Sequence, residues 1–592
     1  MKKFLNKYFS SFAFFFKELK YKLFVIVVLS FSVGVLDGLG LAIFMPLLEL
    51  VGNPDQVTDA SRTPAHEFIN TLGITITFTN VLFLMLVVFS FKGFMKFAAS
   101  WYQVIVFQSF IKSLRLKMFL DFDQIKFKYF TSSDVGRIQN TFTLEVDRVS
   151  SASRVYLKGI ESLVLISTYL VLAFLSNTEF TILVIIGSAL TNFIYKYINK
   201  NTKKQSSVLV KRNSLYHGMV IQYVNLFKYL KVSGKIDVFA KKIKNQVFSV
   251  EKTNRKIGIL NALSLSLREP LMIFILAAVM FIQVSILKGS LELILLSILF
   301  FYRALQYVLA FQTQYNKFLG LQGSLVNVQD FQKELVKHKE TNGKHTFIPF
   351  NEAIVLRNVC FNYGSTSILS NINLTIQKNE TIALVGESGS GKSTLINILC
   401  GLLPIDSGEF TIDQKNVSDL EKTSYQKNIG YITQEPIIFT DSLFNNVTFF
   451  EEKNDETLKK FYDAITKASL FDFLNQSNLK EDINLGNNGI NLSGGQKQRI
   501  SIARELYKNA EFLFMDEATS ALDSETENFI QKNIEKIKGK KTLVVAAHRL
   551  STIKEADRII IMDNGSTHAV GTFNELLQTN PMFKKMIELQ EI

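Results

Sequence analysis

The sequence contains very few cysteines, and both occur late in the chain. Only Cys360 and Cys400 are present among the 592 residues. Two cysteines give neither a disulfide framework nor the spacing of a zinc site. We expect both to be reduced and structural, as is usual in a cytosolic domain. The absence of cysteine before residue 360 also excludes an N-terminal thiol-peptidase domain.

A nucleic-acid-binding motif is also missing, although the formal net charge is +14. An excess of positive charge can attract either nucleic acid or an anionic membrane. Here the basic residues follow the pattern of membrane-flanking loops, as described below. We therefore expect membrane lipid, and no nucleic acid, as a partner.

Charged residues are scarce in several long stretches before residue 320, and these stretches are apolar enough to cross a bilayer. A membrane helix needs about 20 apolar residues in succession. From about residue 345 the sequence instead has the pattern of a soluble α/β protein. The six predicted spans are residues 23–51, 81–108, 159–177, 178–197, 262–287 and 291–316.

This pattern predicts a transmembrane domain over 1–330, a linker over 331–345 and a nucleotide-binding domain over 346–592. The spacing of Phe4, Tyr8, Phe12 and Phe15 predicts an amphipathic helix that lies in the membrane interface. The first apolar run is too long for a signal peptide, and no cleavable one is expected.

The loops between the spans differ in charge, and this difference predicts their orientation. Residues 1–22, 109–158 and 198–261 are rich in lysine and arginine, whereas 52–79 contains one arginine and three acids. Basic loops stay in the cytosol by the positive-inside rule. Both termini and the soluble domain are therefore expected on the cytosolic side of a multi-pass protein.

A glycine-rich loop in "TIALVGESGSGKSTLINILCGLL" lies between a predicted buried strand and a predicted helix. Its backbone N–H groups can surround phosphate oxygens, helped by the dipole at the helix N-terminus. Lys392 is expected to reach the β- and γ-phosphates of ATP, and Ser393 to bind Mg²⁺. The predicted phosphate-binding residues are Gly386, Glu387, Ser388, Gly389, Ser390, Gly391, Lys392, Ser393 and Thr394.

Two adjacent acids follow a second apolar strand, residues 512–515. In α/β sheets such strand ends carry the ligand-binding residues. Asp516 suits the shell of Mg²⁺, directly or through water. Glu517 is placed to orient or deprotonate the attacking water. The sequence thus predicts an Mg²⁺-dependent ATP hydrolase.

The stretch "NLSGGQKQRISIARE" (491–505) resembles the signature motif of ATP-binding cassette (ABC) proteins, and the resemblance extends through 345–592. It implies four further roles. Tyr363 would stack on adenine, and Gln434 would contact Mg²⁺ and sense the γ-phosphate. Asp523 would communicate between two ATP sites, and His548 would bind the γ-phosphate.

The resemblance also implies that the signature motif acts on ATP held by a second copy of the domain. The chain has one phosphate loop and one signature motif, so two complete sites require two chains and twelve spans. A homodimer is the simplest assembly, and a heterodimer with another half-transporter is the alternative. The signature residues are Leu492, Ser493, Gly494, Gly495 and Gln496.

Six spans followed by the cassette resemble the exporter type (type IV) of ABC transporter. The resemblance implies a bacterial plasma-membrane (inner-membrane) protein that alternates between inward-open and outward-open states. Residues 130–149 and 213–235 would form helices that couple the cassette to the membrane domain. One departure is Asn487, which stands where such exporters often have an acid that pairs with a coupling helix.

Four basic residues fall within or near the predicted spans. A charged group at the centre of a membrane helix is costly and usually faces a cavity. The positions of Lys92, Arg268 and Arg303, in spans two, five and six, resemble those of basic residues in the lipid-linked oligosaccharide flippases of bacterial protein N-glycosylation (PglK-like). For Arg268 there are two alternatives to lining a cavity: its side chain extends to the cytosolic interface, or it pairs with Glu269. Asp37 could be an internal counter-ion or part of a hinge. The candidate cavity residues are Lys92, Lys96, Arg268 and Arg303.

The resemblance implies an ATP-driven flippase that moves a polyprenyl-diphosphate-linked oligosaccharide to the outer leaflet. Arginine suits this substrate because its planar guanidinium binds phosphate with two parallel hydrogen bonds. A general exporter of lipid (lipid A-like), drug or peptide is the alternative. An ATP-gated channel or sensor is more remote, because the catalytic motifs are intact.

Overall fold

The computed structural model describes residues 14–16, 18–52, 69, 71, 73–176, 178–282, 285, 291–475, 479–516, 529, 532–533, 535, 536–547 and 550–588. The chain divides into two compact units. The helical unit comprises Met1–Ile125 and Ser132–Lys339, and the α/β unit comprises Lys126–Thr131 and Glu340–Ile592.

Long helices dominate the helical unit because an α-helix satisfies the backbone hydrogen bonds of an apolar stretch internally. A π-helical turn, Thr141–Glu145, interrupts this pattern. Among the described residues, the helices with defined bounds up to residue 339 are α1 (Tyr21–Gly52), α2 (Phe78–Phe122), α3 (Phe127–Thr131, in the α/β unit), α4 (Val135–Asn140), α5 (Val146–Ser176), α6 (Thr178–Asn225), α7 (Phe227–Val232), α8 (Ile236–Ser266), α9 (Arg268–Phe281) and α10 (Leu291–Lys337).

The predicted membrane spans lie in these helices wherever the structure describes them. The predicted spans 178–197 and 291–316 fall in α6 and α10. The predicted span 262–287 differs, because α8 ends at Ser266 and α9 begins at Arg268. Pro270, in the first turn of α9, has no N–H to continue the ladder. Four described stretches are long and apolar enough to cross a membrane: Tyr21–Phe44, Phe78–Phe122, Val135–Ser176 and Ile236–Phe281.

The N-terminal aromatic segment ends inside the helical core. Phe15 is fully buried, and its ring stacks on Tyr156 with centroids 4.9 Å apart. Leu19 is buried in the same cluster. This end of the predicted interfacial helix therefore packs on neighbouring helices, and Phe4, Tyr8 and Phe12 lie outside the described residues.

The boundary between the units, at Lys339 and Glu340, falls within the predicted linker 331–345. Helix α10 continues to Lys337 because Phe331 and Leu335 are buried in the helical core. The first part of the predicted linker, 331–345, is therefore helix, and the unit ends at Lys339.

Two sheets form the α/β unit. A four-stranded antiparallel sheet has the order β2-β1-β4-β5, and a six-stranded sheet has the order β10-β9-β3-β8-β7-β6. In the larger sheet β9, β3, β8, β7 and β6 are parallel, and β10 pairs antiparallel at one edge. The strands are β1 (Ala353–Tyr363), β2 (Thr366–Gln377), β3 (Thr381–Val385), β4 (Ser407–Ile412), β5 (Lys415–Asn416), β6 (Ile429–Ile432), β7 (Phe512–Asp516), β8 (Thr542–Ala546), β9 (Arg558–Asp563) and β10 (Ser566–Gly571).

The central strands are apolar along their whole length because helices or the second sheet cover both faces. Residues 382–385 of β3 and 512–515 of β7 are all buried. The covering helices are α11 (Lys392–Leu399), α12 (Lys422–Lys427), α13 (Leu443–Thr448), α14 (Asp455–Lys467), α15 (Phe471–Asn475), α16 (Gly494–Lys508), α17 (Leu550–Lys554), α18 (Phe573–Thr579) and α19 (Pro581–Glu588).

Candidate nucleotide site and intramembrane charges

The glycine-rich loop connects β3 to α11, as the sequence predicts. Gly391 has φ +100°, and a Cβ there would lie 2.6 Å from a methyl carbon of Leu369. A side chain is therefore excluded by both backbone conformation and space. The buried Lys392 turns its ammonium group back into the loop, where it donates to the carbonyl oxygens of Gly386 (2.7 Å) and Glu387 (3.0 Å).

The other predicted phosphate and metal residues converge on the loop because they follow parallel neighbouring strands. Asp516 is the last residue of β7, and Gln434 follows the end of β6. Strands β3, β8, β7 and β6 are adjacent in that order, so their carboxyl ends share one sheet edge. Glu517, Asp523 and His548 lie outside the described residues.

The donor set at this edge fits Mg²⁺. Ser393 offers a hydroxyl, Gln434 an amide oxygen and Asp516 a carboxylate, and Mg²⁺ prefers such oxygen ligands with only one or two carboxylates. Among the described residues no group of three or more His, Cys, Asp or Glu could hold a metal. The chemistry of the edge therefore matches a cation that is bound together with nucleotide phosphates.

Tyr363, the predicted adenine-stacking residue, lies at the end of β1 in the smaller sheet. Its ring contacts Phe361 edge-on, with centroids 4.9 Å apart, and it remains about one-third exposed. Partial burial raises the pKa of its phenol above the ordinary value, so the ring stays neutral. An exposed neutral aromatic ring fixed at its edge can stack on a nucleotide base.

The signature motif forms the start of α16. Ser493 caps the helix: its side chain accepts from the N–H of Gln496, whose side chain accepts in turn from the N–H of Ser493. Ser493 and Gly494 are exposed. An exposed helix N-terminus with a hydroxyl group can donate to an anion that approaches from outside.

Asn487, where exporters often have an acid, lies in a short 3₁₀ turn just before the signature motif. Its side-chain oxygen is 3.5 Å from the hydroxyl of Thr440, which can donate to it. Asn487 is therefore neutral and has a polar partner within the α/β unit.

Sequence reasoning missed a buried group at the far end of the signature helix. Arg504 donates from Nε to the carbonyl oxygen of Asn446 (2.6 Å) and from Nη2 to its side-chain oxygen (3.2 Å). The guanidinium also lies over the rings of Phe439 and Phe449, at 5.1 and 5.2 Å. These contacts join α16 to the segment that follows Gln434. The sequence signal was an arginine directly after the apolar-rich run 500–503.

The next residue, Glu505, is also buried and accepts from the N–H of Tyr431 on β6 (3.2 Å). Burial raises the pKa of Glu505 above its ordinary value, and nearby Lys508 partly opposes this shift. Helix α16 is therefore tied to the strand that leads into Gln434.

The short helix α3 belongs to the α/β unit although it comes from the first third of the chain. Phe127 packs against the core of that unit. Lys128 forms an ion pair with Asp406 (3.2 Å) and lies over the ring of Phe361 (4.6 Å). Asp406 also accepts from the N–H of Asn362 (2.7 Å), beside Tyr363. The predicted coupling segment 130–149 overlaps α3 only at its first two residues.

A network of charges forms inside the helical unit around Asp37. Its carboxylate accepts from Lys92 of α2 and from the hydroxyl of Tyr169 of α5. The Nε of Arg303, on α10, is 3.8 Å from the second carboxylate oxygen. Tyr169 also stacks on Tyr307, with centroids 5.6 Å apart. We call Asp37, Lys92, Tyr169 and Arg303 the Asp37 network.

The structure therefore shows Asp37 as an internal counter-ion. Helix α1 continues without a break through Gly38 and Gly40. A Cβ on Gly38 would lie 2.3 Å from Leu172, and one on Gly40 would lie 2.8 Å from Phe89. Both glycines allow α1 to approach its neighbours closely enough for the network to form.

The other two predicted cavity residues lie outside this network. Lys96, one turn beyond Lys92, is exposed and has no ion pair among the described residues. Arg268 opens α9, and its side chain lies outside the described part of the chain. The alternatives for Arg268 therefore stay predictions.

Comparison with known families agrees with both units. Residues 369–520 match the model of a family described as ABC transporter, and residues 23–309 match the one described as ABC transporter transmembrane region. The chain is an ABC exporter half-transporter, in which a membrane domain is fused to an ABC nucleotide-binding domain. It is an integral membrane protein, and its ATPase is coupled to transport.

Its relatives include lipid flippases. The chain is 28% identical over 524 residues to an ATP-dependent lipid A-core flippase of Pasteurella multocida, covering 86% of this chain and 88% of the relative. It is 26% identical over 517 residues to the protein of that name from Vibrio cholerae, covering 86% and 88%. It is 28% identical over 483 residues to the heterocyst differentiation ATP-binding protein HepA of Nostoc sp., covering 81% and 78%.

The fold is also that of a solved structure. A bacterial Atm1-family ABC exporter with ATP bound superposes with a TM-score of 0.79 at 19% sequence identity. The match covers 98% of this chain and 99% of the other.

Proposed function

We propose that this half-transporter moves a phosphorylated glycolipid from the cytosolic to the outer leaflet, driven by ATP hydrolysis. The observation that carries the proposal is the Asp37 network, where two cations contact one carboxylate within apolar helices. Cations at such positions usually face a cavity or an anion. The relatives named lipid A-core flippase support a lipid of this class.

As the substrate, we propose a lipid A-type glycolipid rather than a polyprenyl-diphosphate-linked oligosaccharide. Both substrates present phosphate groups next to sugars, and Arg303 and Lys92 suit either. The relatives named above favour the lipid A type. The oligosaccharide remains the second candidate, since the guanidinium of Arg303 also fits a diphosphate.

In the proposed hydrolytic site, Lys392 binds the β- and γ-phosphates, and Tyr363 stacks on adenine. Ser393, Gln434 and Asp516 would hold Mg²⁺, which neutralises the charge on the phosphates. Glu517 would orient the attacking water and accept its proton, while His548 would contact the γ-phosphate.

Two copies of the chain are proposed to complete two such sites. Ser493 and Gly494 begin α16 on the surface of the unit, where an ATP held by a second chain can approach. A homodimer needs only this sequence, whereas a heterodimer needs another half-transporter. Purified protein that hydrolyses ATP as a dimer of identical chains would support the first assembly.

The test is transport of fluorescent lipids in proteoliposomes made with the purified full-length protein. One set contains a labelled lipid A, and the other a labelled polyprenyl-diphosphate oligosaccharide. We expect ATP-dependent movement of the lipid A analogue, measured as loss of accessibility to an added quencher, and none with Glu517→Gln. Movement of the oligosaccharide alone would favour the second candidate. Movement of neither lipid, with ATPase activity intact, would refute the proposal in favour of a drug or peptide exporter.

A further inference from the structure

The contacts around Asp37 are unequal. Lys92 and the hydroxyl of Tyr169 each contact one oxygen of the carboxylate directly. Arg303 approaches only with Nε, at 3.8 Å, which is beyond a normal hydrogen bond. Its side chain is 36% exposed, compared with 21% for Lys92 and 4% for Asp37. Arg303 is therefore the most loosely held member of the network.

Arg303 can leave Asp37 without exposing an unpaired buried charge. The carboxylate would keep its direct contacts with Lys92 and Tyr169, which lie on two other helices. Removing the only partner of a buried charge is costly, but here one partner and one hydroxyl donor remain. The guanidinium has five N–H donors, and its shortest distance to the carboxylate of Asp37 is the 3.8 Å from Nε, beyond a normal hydrogen bond. Its other donors suit a phosphate.

We propose that Arg303 exchanges Asp37 for a phosphate group of the substrate, and that Asp37 selects headgroups by competing for Arg303. This inference rests on the proposed function and names the charge class that the site accepts. The carboxylate carries one negative charge. A phosphomonoester carries about 1.5 to 2 negative charges at pH 7 and offers three oxygens. A phosphodiester carries one, and a zwitterionic headgroup carries no net charge.

The network should therefore accept phosphomonoester and diphosphate headgroups and reject ordinary phospholipids. A phosphodiester offers Arg303 no more charge than Asp37 already does, and the carboxylate is held in place by two other groups. A flippase that works in a bilayer of phospholipid needs such a filter, because phosphodiester lipids vastly outnumber its substrate. Asp37 would then be a specificity-determining residue, although it does not touch the substrate.

The test is equilibrium binding of two lipids to the purified full-length protein in detergent, without nucleotide, measured by native mass spectrometry. Phosphatidic acid supplies the phosphomonoester and phosphatidylglycerol the phosphodiester, with identical acyl chains. We expect the wild type to prefer phosphatidic acid by about tenfold, the effect of roughly one additional charge contact. In Asp37→Asn the preference should fall to about twofold, because phosphatidylglycerol now binds more tightly.

The matched control is Lys117→Gln, which also removes one charge but at an exposed position on α2 outside the network. It should keep the wild-type preference. An unchanged preference in Asp37→Asn would overturn the inference and leave the network as a structural ion pair.

A second variant covers the case in which Asp37→Asn does not fold. Arg303→Gln leaves Lys92, Asp37 and Tyr169 in contact and should lose the preference for phosphatidic acid. Wild-type preference in Arg303→Gln would overturn the inference by itself. Because binding is measured without ATP, the result is independent of transport. Failure to move any phosphorylated glycolipid would instead refute the proposed function.

Discussion

Replacing Arg504 by methionine tests whether the buried arginine joins the signature helix to the segment after Gln434. The change removes two hydrogen bonds to Asn446, each worth about 1.5–3 kcal/mol when the donor is charged. It also removes contacts with two aromatic rings, worth about 1 kcal/mol each. Methionine fills much of the space, and the cost of burying a charge disappears. We therefore expect a net loss of about 2–4 kcal/mol.

This loss can be measured as the shift of the first unfolding transition in scanning calorimetry of the full-length protein. For a unit of 150–250 residues, 1 kcal/mol corresponds to about 2–4 °C, so the expected decrease is about 4–16 °C. The matched control is Arg499→Met on the same helix, where a half-exposed arginine donates to the carbonyl oxygens of Ser469 (2.8 Å) and Gly495 (3.4 Å). Its expected loss is at most about 1 kcal/mol, because water can replace the hydrogen bonds of a half-exposed charged group. Equal shifts in both variants would refute the assigned role of Arg504.

Three further changes test the α/β unit. Lys392→Ala should weaken ATP binding at least about tenfold, because a charged contact with phosphate is lost. Titration with a fluorescent nucleotide measures the affinity, and an unchanged affinity would contradict the phosphate-binding role of Lys392. Glu505→Gln should flatten the pH dependence of stability. Burial raises the pKa of Glu505, so the folded state binds more protons than the unfolded state between the ordinary pKa and the raised pKa. The stability of the wild type therefore falls as pH rises through that window. Melting curves from pH 4 to pH 8 check this, and parallel curves would count against it. Lys128→Met should change stability by less than about 1 kcal/mol, since its pair with Asp406 is partly exposed. It should nevertheless raise the half-saturating ATP concentration a few-fold, because Asp406 also holds Asn362 beside Tyr363. Lys126→Met is its control, and equal ATP dependence in both variants would contradict a role of Lys128 in positioning Tyr363.

The nucleotide site could be predicted from sequence because its chemistry is local. The loop 386–393 has its glycines, lysine and serine in one short run, and the strand before Asp516 is uninterrupted apolar sequence. Strand ends in a parallel sheet then bring these motifs together whatever lies between them. The membrane-spanning helices that the structure describes could be predicted for a similar reason, since hydrophobicity over about 20 residues depends on nothing else in the chain.

Contacts between distant parts of the chain could not be predicted in this way. Lys128 and Asp406 are separated by 278 positions, and no periodicity indicates that they meet. The members of the Asp37 network lie on four different helices, and their hydrophobic patterns do not specify which faces are in contact. The sequence therefore predicted Lys92 and Arg303 as candidate cavity residues but left the role of Asp37 open.

The length of α6 has a mechanical consequence. Its 48 residues make a rod of about 72 Å, of which a hydrocarbon core needs about 30 Å. About 40 Å of continuous helix is then left outside the bilayer, and a tilt of 10° about the membrane surface would move its tip by about 7 Å. The helix is thus a lever with its long arm in the cytosol. A small reorientation of the membrane-spanning part of α6 therefore moves its cytosolic end by several ångströms. In the opposite direction, a force applied at the cytosolic end acts on the membrane-spanning part through this long arm.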